Sequence, residues 1–348
     1  MIQWRFSGLL LKTMKGLRLE KILVTERGRF TVRPYCQADE KSVLALWKAA
    51  FKKNMDPHLW RWKYRDNPYG HRILLCVSEE GIIVALYGGI PYKTNYDGRI
   101  VEIINLMDLM SHPDYRGEGL FVRTGKIFFD FYCRPDGASF VYGFPGEYHF
   151  VLGKKYLGYR ALEQPVIFLS ARPSDLIGNT RTFGGRVERL KKPDSCLDDL
   201  WKRCREAYPL TAIRDAGFSK WRFFSHPFQE YEVWVYRSRF RKQINAYAVF
   251  VVEEKKAAMI DIFSLPSEKV LSDFFARLAA EFLGRGIVEI NTWLPDSHFI
   301  TEDALSAGFN RAPEPKGVVS TVRTFDHSPS LDFISRKMFY TMADVDLF

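Results

Sequence analysis

The chain has 348 residues, 47% apolar, 15% aromatic and 26% charged, with a net charge of +10. This length suits about two domains, the apolar share excludes a disordered chain, and no run of about 18 apolar residues offers a transmembrane helix. Five cysteines without a Cys-x-x-Cys spacing exclude a disulfide framework and a four-cysteine zinc site. Single scattered cysteines fit a cytoplasmic location. The seven histidines never pair at helical ligand spacing, so no metal is expected. The positive charge leaves nucleic acid, a membrane surface or an anionic small ligand open. Part of it is local, in residues 1–29 and in Arg237-Ser238-Arg239-Phe240-Arg241-Lys242. The first of these reads as a basic extension and the second as a hairpin tip.

Residues 30–35 alternate and predict a strand. Asp39 is placed to cap the next helix, whose apolar stripe is Val43, Leu46, Trp47, Ala50 and Phe51. Asp56-Pro57 starts a short helix, because proline at the first helical position loses no needed N–H. Asn67-Pro68-Tyr69-Gly70 stops it. Residues 73–78 and 82–92 predict a hairpin around Glu79-Glu80-Gly81, and residues 103–110 another strand. A helix follows over 119–131, then a strand over 139–144, a helix over 147–156 and a strand over 165–169. The expected order is β-α-α-β-β-β-α-β-α-β. Residues 172–192 are rich in Gly, Arg, Lys, Pro and Thr and read as a linker or first strand between domains at 30–171 and 193–348.

The second half repeats the first. Leu46-Trp47-Lys48 recurs as Leu200-Trp201-Lys202, and Trp62-Lys63-Tyr64 as Trp221-Arg222-Phe223. Met107-Asp108-Leu109-Met110-Ser111 recurs as Ile260-Asp261-Ile262-Phe263-Ser264. Pro145 precedes Gly158, and Pro295 precedes Gly308, by thirteen residues each. Four matches in one order indicate a duplicated domain.

The segment Ser111-His112-Pro113-Asp114-Tyr115-Arg116-Gly117-Glu118-Gly119-Leu120-Phe121 joins a strand to a helix. Such a junction presents unpaired N–H groups and the positive end of a helix dipole, which suits a phosphate. Gly117 and Gly119 allow close approach, and Arg116 and Arg123 add charge. An ordinary glycine-rich turn has the same composition. No Gly-Lys-Ser/Thr follows, and Val122 stands where a dinucleotide fingerprint needs its third glycine.

Set in this element order, the segment resembles motif A of the GNAT superfamily of acetyl-CoA-dependent N-acyltransferases, Arg/Gln-x-x-Gly-x-Gly/Ala. Arg116 and Gly119 match, the His112-Pro113-Asp114-Tyr115 lead-in fits, and Phe121 departs from the pattern. Residues 145–159, ending Leu157-Gly158-Tyr159, resemble motif B. The resemblance covers residues 30–170. It implies an α/β (α+β mixed-sheet) fold of two tandem GNAT-like domains, each a mostly antiparallel twisted sheet flanked by helices. It also implies acetyl-CoA as cofactor. The N–H groups of Arg116, Gly117, Glu118, Gly119, Leu120, Phe121 and Val122 would hold its pyrophosphate, and the strand edge at Leu109, Met110 and Ser111 its pantetheine arm. An edge N–H would polarise the thioester carbonyl. The second half has Ser264-Leu265-Pro266-Ser267-Glu268-Lys269-Val270 in place of the loop, without glycine, and is expected to bind no coenzyme A.

The acid–base groups implied are Lys154, at the motif B tyrosine position, with Tyr156 and Tyr148 nearby, and Asp108, the carboxylate nearest the base position that Asn105 occupies. Some tandem GNAT-like acyltransferases use their C-terminal carboxylate as base. Phe348 would then present it, with Asp344 and Asp346 attracting a cationic acceptor. The expected activity is transfer of an acyl group to a small-molecule or peptide amine by direct attack, with no nucleic acid or membrane span. Two other readings stand beside it: a non-catalytic tandem GNAT-like binding protein, and an aminoacyl-tRNA-dependent aminoacyltransferase. The acceptor, acyl length and oligomeric state are left open.

Overall fold

The computed structural model describes residues 19–177, 184–238, 243–296, 298–315 and 317–345. In the first half these form β1 (Lys21–Thr25), β2 (Gly28–Pro34), α1 (Glu40–Phe51), α2 (Pro57–Tyr64), β3 (Arg72–Ser78), β4 (Ile83–Tyr96), β5 (Arg99–Leu106), β6 (Met110–Ser111), α3 (Leu120–Tyr132), β7 (Phe140–Gly143), α4 (Glu147–Tyr156), β8 (Arg160–Ala161) and β9 (Val166–Ala171). In the second half follow α5 (Pro173–Ile177), β10 (Arg186–Leu190), α6 (Cys196–Cys204), β11 (Leu210–Ala212), α7 (Ala216–Ser219), β12 (Glu232–Arg237), β13 (Ile244–Glu253), β14 (Lys256–Ser264), α8 (Glu268–Gly284), β15 (Glu289–Pro295), α9 (Phe299–Ala307), β16 (Asn310–Ala312), β17 (Thr321–Thr324) and α10 (Leu331–Lys337). This is the mixed α/β fold expected, with mixed sheets flanked by helices. The expected hairpin tip at Arg239, Phe240, Arg241 and Lys242 lies outside the described residues.

The chain divides into two compact units. Among the described residues the first takes 19–54, Ile73–Tyr87 and Leu109–Gly125. Here β1 pairs antiparallel with β2 from Lys21↔Val32 to Thr25↔Gly28, leaving a two-residue turn at Glu26-Arg27. Residues 21–29, expected as extension, are therefore strand and turn. The alternating apolar residues Leu23, Phe30 and Val32 are buried, which is what holds this hairpin to the unit's core with Val43, Leu46 and Leu75. Asp39 stands at the start of α1 as expected, but its carboxylate takes Arg33 at 2.7 Å and the Cys36 N–H at 2.9 Å instead of capping α1. The Arg33 hydrogen bond, ahead of the opposing effect of burial, holds that carboxyl down at about 2.

The second unit takes Met55–Arg72, Gly88–Asp108 and Lys126–Phe348. Asp56 caps α2 by accepting from the His58 N–H at 2.7 Å, and Pro57 opens it. Gly89 is obligatory in β4: a Cβ there would lie 1.9 Å from the Asn105 carbonyl oxygen on β5.

The hydrogen-bonded order from β2 is β2-β3-β4-β5-β7-β17-β8, and the other sheet runs β10-β12-β13-β14-β15-β9-β16. Position by position the two orders correspond, with one exchange. The strand over 165–169, expected to end the first domain, is β9 and pairs with β15 and β16. In turn β17, from the second half, pairs with β7 and β8. The two tryptophans matched in the sequence, Trp62 and Trp221, meet. Trp62 donates its indole N–H to the Trp221 carbonyl and Trp221 to the Trp62 carbonyl, each at 2.9 Å, with rings stacked 5.2 Å apart.

Candidate functional site

In the first unit, β6 ends at Ser111, a 3-10 turn covers Pro113–Tyr115, and α3 begins at Leu120. His112 caps that turn, its Nδ1 accepting from the Asp114 N–H at 3.3 Å. Arg116 is extended at φ −69° and ψ 150°, while Gly117 and Gly119 take φ of 93° and 68°. Side chains rarely adopt such φ values, so glycine is favoured at both. The N–H groups of Gly117, Glu118, Gly119 and Leu120 donate to no group among the described residues. A Cβ on either glycine would meet nothing within 4 Å, so the face of the loop is open. Open N–H groups ahead of a thirteen-residue helix form a cradle for an anion. The residues present thus fit the pyrophosphate of a coenzyme A.

The side chains around the cradle are now placed. Phe121, which departs from the motif, lies against Tyr87 of β4 with ring centroids 5.4 Å apart. It packs on the sheet, which is why a large residue is accommodated there. Leu120 is buried and Val122 half-buried. Arg116 is exposed, its Nη2 3.5 Å from the Ser111 carbonyl oxygen. Arg123 donates to the Val24 carbonyl at 3.0 Å, and Arg27 meets Glu118 at 3.2 Å. Arg27 is a residue that sequence reasoning passed over. Its place between Thr25 and a glycine, with strand-like residues on both sides, was the available signal of a hairpin tip.

The expected strand over 103–110 is interrupted. Gly89 pairs with Leu106 on β5, and Leu86 pairs with Met110 on β6. Three steps along β4 therefore oppose four on the other strand, which is a one-residue bulge over 107–109. Asp108 takes φ 56° in it. The Asp108 carboxylate accepts from Lys63 Nζ at 2.7 Å and from the Tyr64 hydroxyl at 2.6 Å, with side-chain exposures of only 2% for Asp108 and 8% for Lys63. Beyond the bulge, His112 donates its N–H to the Val84 carbonyl at 2.8 Å. By alternation the Ser111 N–H faces away from β4, on the edge expected to take a ligand arm, and Leu109 and Met110 precede it. In the second unit β5 and β7 pair only at Ile104↔Val141 and Asn105↔Tyr142.

Asn105 donates to the Asp344 carbonyl. Asp344 is buried and ion-paired with the buried Arg214, which also meets Asp261 at 3.2 Å. Burial works to lower the Arg214 pKa, and the carboxylates of Asp261 and Asp344 outweigh it, so its pKa is raised. Asp344 is therefore a structural ion pair and not an exposed attractor for a cationic acceptor, while Asp346 and Phe348 lie outside the described residues. On α4, Lys154 and Tyr156 are exposed, and Lys155 Nζ lies 5.0 Å from the Tyr156 ring centre. Tyr148 is exposed too.

The corresponding junction of the second half, between β14 and α8, has no glycine and engages its first N–H groups. The Ser264 N–H donates to the Tyr208 hydroxyl at 3.0 Å, and that hydroxyl donates to the Ser264 carbonyl at 3.0 Å. The Leu265 N–H takes the Asn245 carbonyl at 2.9 Å, Pro266 has no N–H, and Val270 and Leu271 turn back to the Ser267 carbonyl. No group of three or more His, Cys, Asp or Glu that could hold a metal occurs among the described residues. Nor is any helix among them long and apolar enough to cross a membrane.

Residues 31–157 match the family described as an acetyltransferase (GNAT) domain. Among curated proteins none matches the sequence. Among solved structures, a conserved protein of unknown function from Enterococcus faecalis V583, described as a probable N-acyltransferase, superposes with a TM-score of 0.67 at 12% identity, over 85% of this chain and 72% of that one. A GCN5-related N-acetyltransferase from Anabaena variabilis gives 0.66 at 12% identity, over 85% and 73%. The N-myristoyltransferase of Saccharomyces cerevisiae, solved with bound myristoyl-CoA, gives 0.56 at 13% identity, over 94% and 91%. Residues 31–157 are thus similar to a GNAT domain, and the fold is shared with these solved structures.

Proposed function

We propose that this chain is an acetyl-CoA-dependent N-acyltransferase that acts by direct attack of an amine on the thioester. The observation that carries the reading is the cradle at residues 116–122, open on its face and unsatisfied at four successive N–H groups. When bound, acetyl-CoA would supply an activated acyl group. The chain's own part is to hold the diphosphate on the cradle, to order the pantetheine arm along the Leu109, Met110 and Ser111 edge, and to offer the Ser111 N–H to the developing oxyanion. The transfer would replace the thioester C–S bond by a C–N bond, the amine's proton passing to solvent and the sulfur leaving as coenzyme A thiol. Asp108, already engaged by Lys63 and Tyr64, holds the bulge in this reading. Lys154 is assigned the proton or charge that the departing thiolate needs, with Tyr156 beside it as the alternative.

The second half is read as a GNAT-like repeat without cofactor. Matching sheet orders, the reciprocal tryptophan bonds and the engaged Ser264 and Leu265 N–H groups support this. The open cradle favours this enzyme over an aminoacyl-tRNA-dependent one, and the place of Phe121 removes one reason to read the domain as decayed.

The test is calorimetry with acetyl-CoA on the wild type and Gly119→Glu, followed by release of coenzyme A thiol over a panel of amines. One site per chain is expected, abolished in Gly119→Glu, with the unfolding midpoint lowered only by the roughly 1–2 kcal/mol that a side chain at positive φ costs. Equal affinity in the variant would sink the assignment. Lys154→Ala should lower kcat and leave cofactor affinity unchanged.

A further inference from the structure

We propose that Arg27, at the tip of the β1–β2 hairpin, keeps the phosphate cradle fit for an anion by neutralising Glu118 and pinning the loop. The inference rests on the cofactor reading above and gives the N-terminal hairpin a part in it. Glu118 is the single acidic residue of the run 116–122, and it stands between the two glycines whose N–H groups are open. Left alone, its charge would oppose the ligand that the cradle is shaped for. Arg27 Nε lies 3.2 Å from Glu118 Oε1. The same guanidinium donates through Nη1 to the Asp114 carbonyl and lies 6.0 Å from the Tyr115 ring centre. One side chain therefore holds the loop on both sides of Gly117.

The hairpin is built to deliver it. The Arg27 N–H donates to Thr25 Oγ1 at 3.1 Å, which fixes the turn. Phe30 of β2 meets the Tyr115 ring edge-on at 5.9 Å, and Arg123 of α3 reaches back to the Val24 carbonyl at 3.0 Å. These two contacts, beside those of Arg27, join the hairpin to the loop and its helix. Arg27 and Glu118 are 51% and 21% exposed, so their attraction adds little to folding stability. Its value lies in the charge presented to a ligand and in holding a two-glycine loop in its binding shape before the ligand arrives. Arg27 is thus a positioning residue.

The experiment is titration calorimetry with coenzyme A on the wild type, Arg27→Ala, Glu118→Gln and the double variant, with thermal midpoints of each free protein. One uncompensated charge beside a half-exposed anion site is worth about three- to tenfold in affinity. Arg27→Ala should weaken binding by that factor with its midpoint nearly unchanged, Glu118→Gln should bind at least as tightly as wild type, and the double variant should recover most of the loss. A purely structural hairpin would not show that recovery. Wild-type affinity in Arg27→Ala, or a double variant no better than Arg27→Ala, overturns the inference while the cofactor reading stands. A wild-type protein that does not bind coenzyme A overturns that reading, and this inference with it.

Discussion

Replacing Asp108 by Asn would strip the charge from the bulge while keeping a residue that tolerates its positive φ. The carboxylate is met by Lys63 at 2.7 Å and Tyr64 at 2.6 Å. At an effective dielectric constant of about 20, the first contact is worth roughly 6 kcal/mol of attraction, most of it offset by the several kcal/mol needed to dehydrate each ion. Asn in place of Asp108 takes this carboxylate from the buried ammonium, and breaking such pairs costs about 3–5 kcal/mol. Lys63 keeps 8% side-chain exposure, and Asn still accepts from Tyr64, so the lower end, about 3 kcal/mol, applies. The assay is equilibrium unfolding in urea followed by fluorescence of Trp60, Trp62 and Trp221, all in the unit that holds the pair. Lys63→Met with Asp108→Asn should recover part of the loss, because neither member of this pair is then charged. An Asp108→Asn protein within about 0.5 kcal/mol of wild type would refute the reasoning. So would a double variant as unstable as the single.

Acid should destabilise the protein through its histidines. Burial pushes His298 down to about 3 and His226, with help from Arg222 and Lys63, to about 4. Unfolded histidine titrates near 6.5, so the unfolded chain binds more protons below that, and stability present above about pH 6.5 is lost as pH falls toward 4. Urea midpoints at pH 7 and 5 check this, and His226→Asn, which keeps an acceptor for the N–H groups of Phe228 and Gln229, should flatten the slope. Trp221→Phe removes the donor to the buried Trp62 carbonyl and should cost about 1–3 kcal/mol in the same urea assay. Gly153→Ala puts a Cβ 2.1 Å from the Tyr159 ring. Crowding of about 1–3 kcal/mol should exceed the roughly 1 kcal/mol gained in helix propensity, so a net loss of thermal stability is expected.

What could be read from the chain alone was whatever local pattern encodes. The stripe from Leu120 to Phe131 marked α3, Asp56-Pro57 marked the start of α2, and the two glycines after Arg116 marked a loop that bends as expected. Strand β1 went unnoticed because Lys21-Ile22-Leu23-Val24-Thr25 sits in a basic segment and buries only Leu23. The bulge at Asp108 was hidden inside an apolar run that alternates on either side of it. The partner of a strand is also not a local property. Nothing in the alternation of β9 or β17 distinguishes pairing with the nearer half from pairing with the farther one. The ion pair at Asp108 could have been suspected, since Lys63 and Tyr64 lay in a matched segment, but only the fold brings residues 44 and 45 positions apart into contact.

The exchange of β9 and β17 also sets a timetable. Thr321 of β17, which seats against Gly143 of β7, follows it by 178 residues. At roughly 5–20 residues per second, a ribosome would deliver that strand about 9–36 s after β7 has emerged. Through that interval β7 has an unpaired edge, and neither sheet can be finished before nearly the whole chain exists. A nascent chain of this kind would be exposed to wrong pairing for longer than one whose domains close in turn. Cutting it at residues 172–192 would not give two smaller proteins, since each piece would carry a strand that belongs to the other.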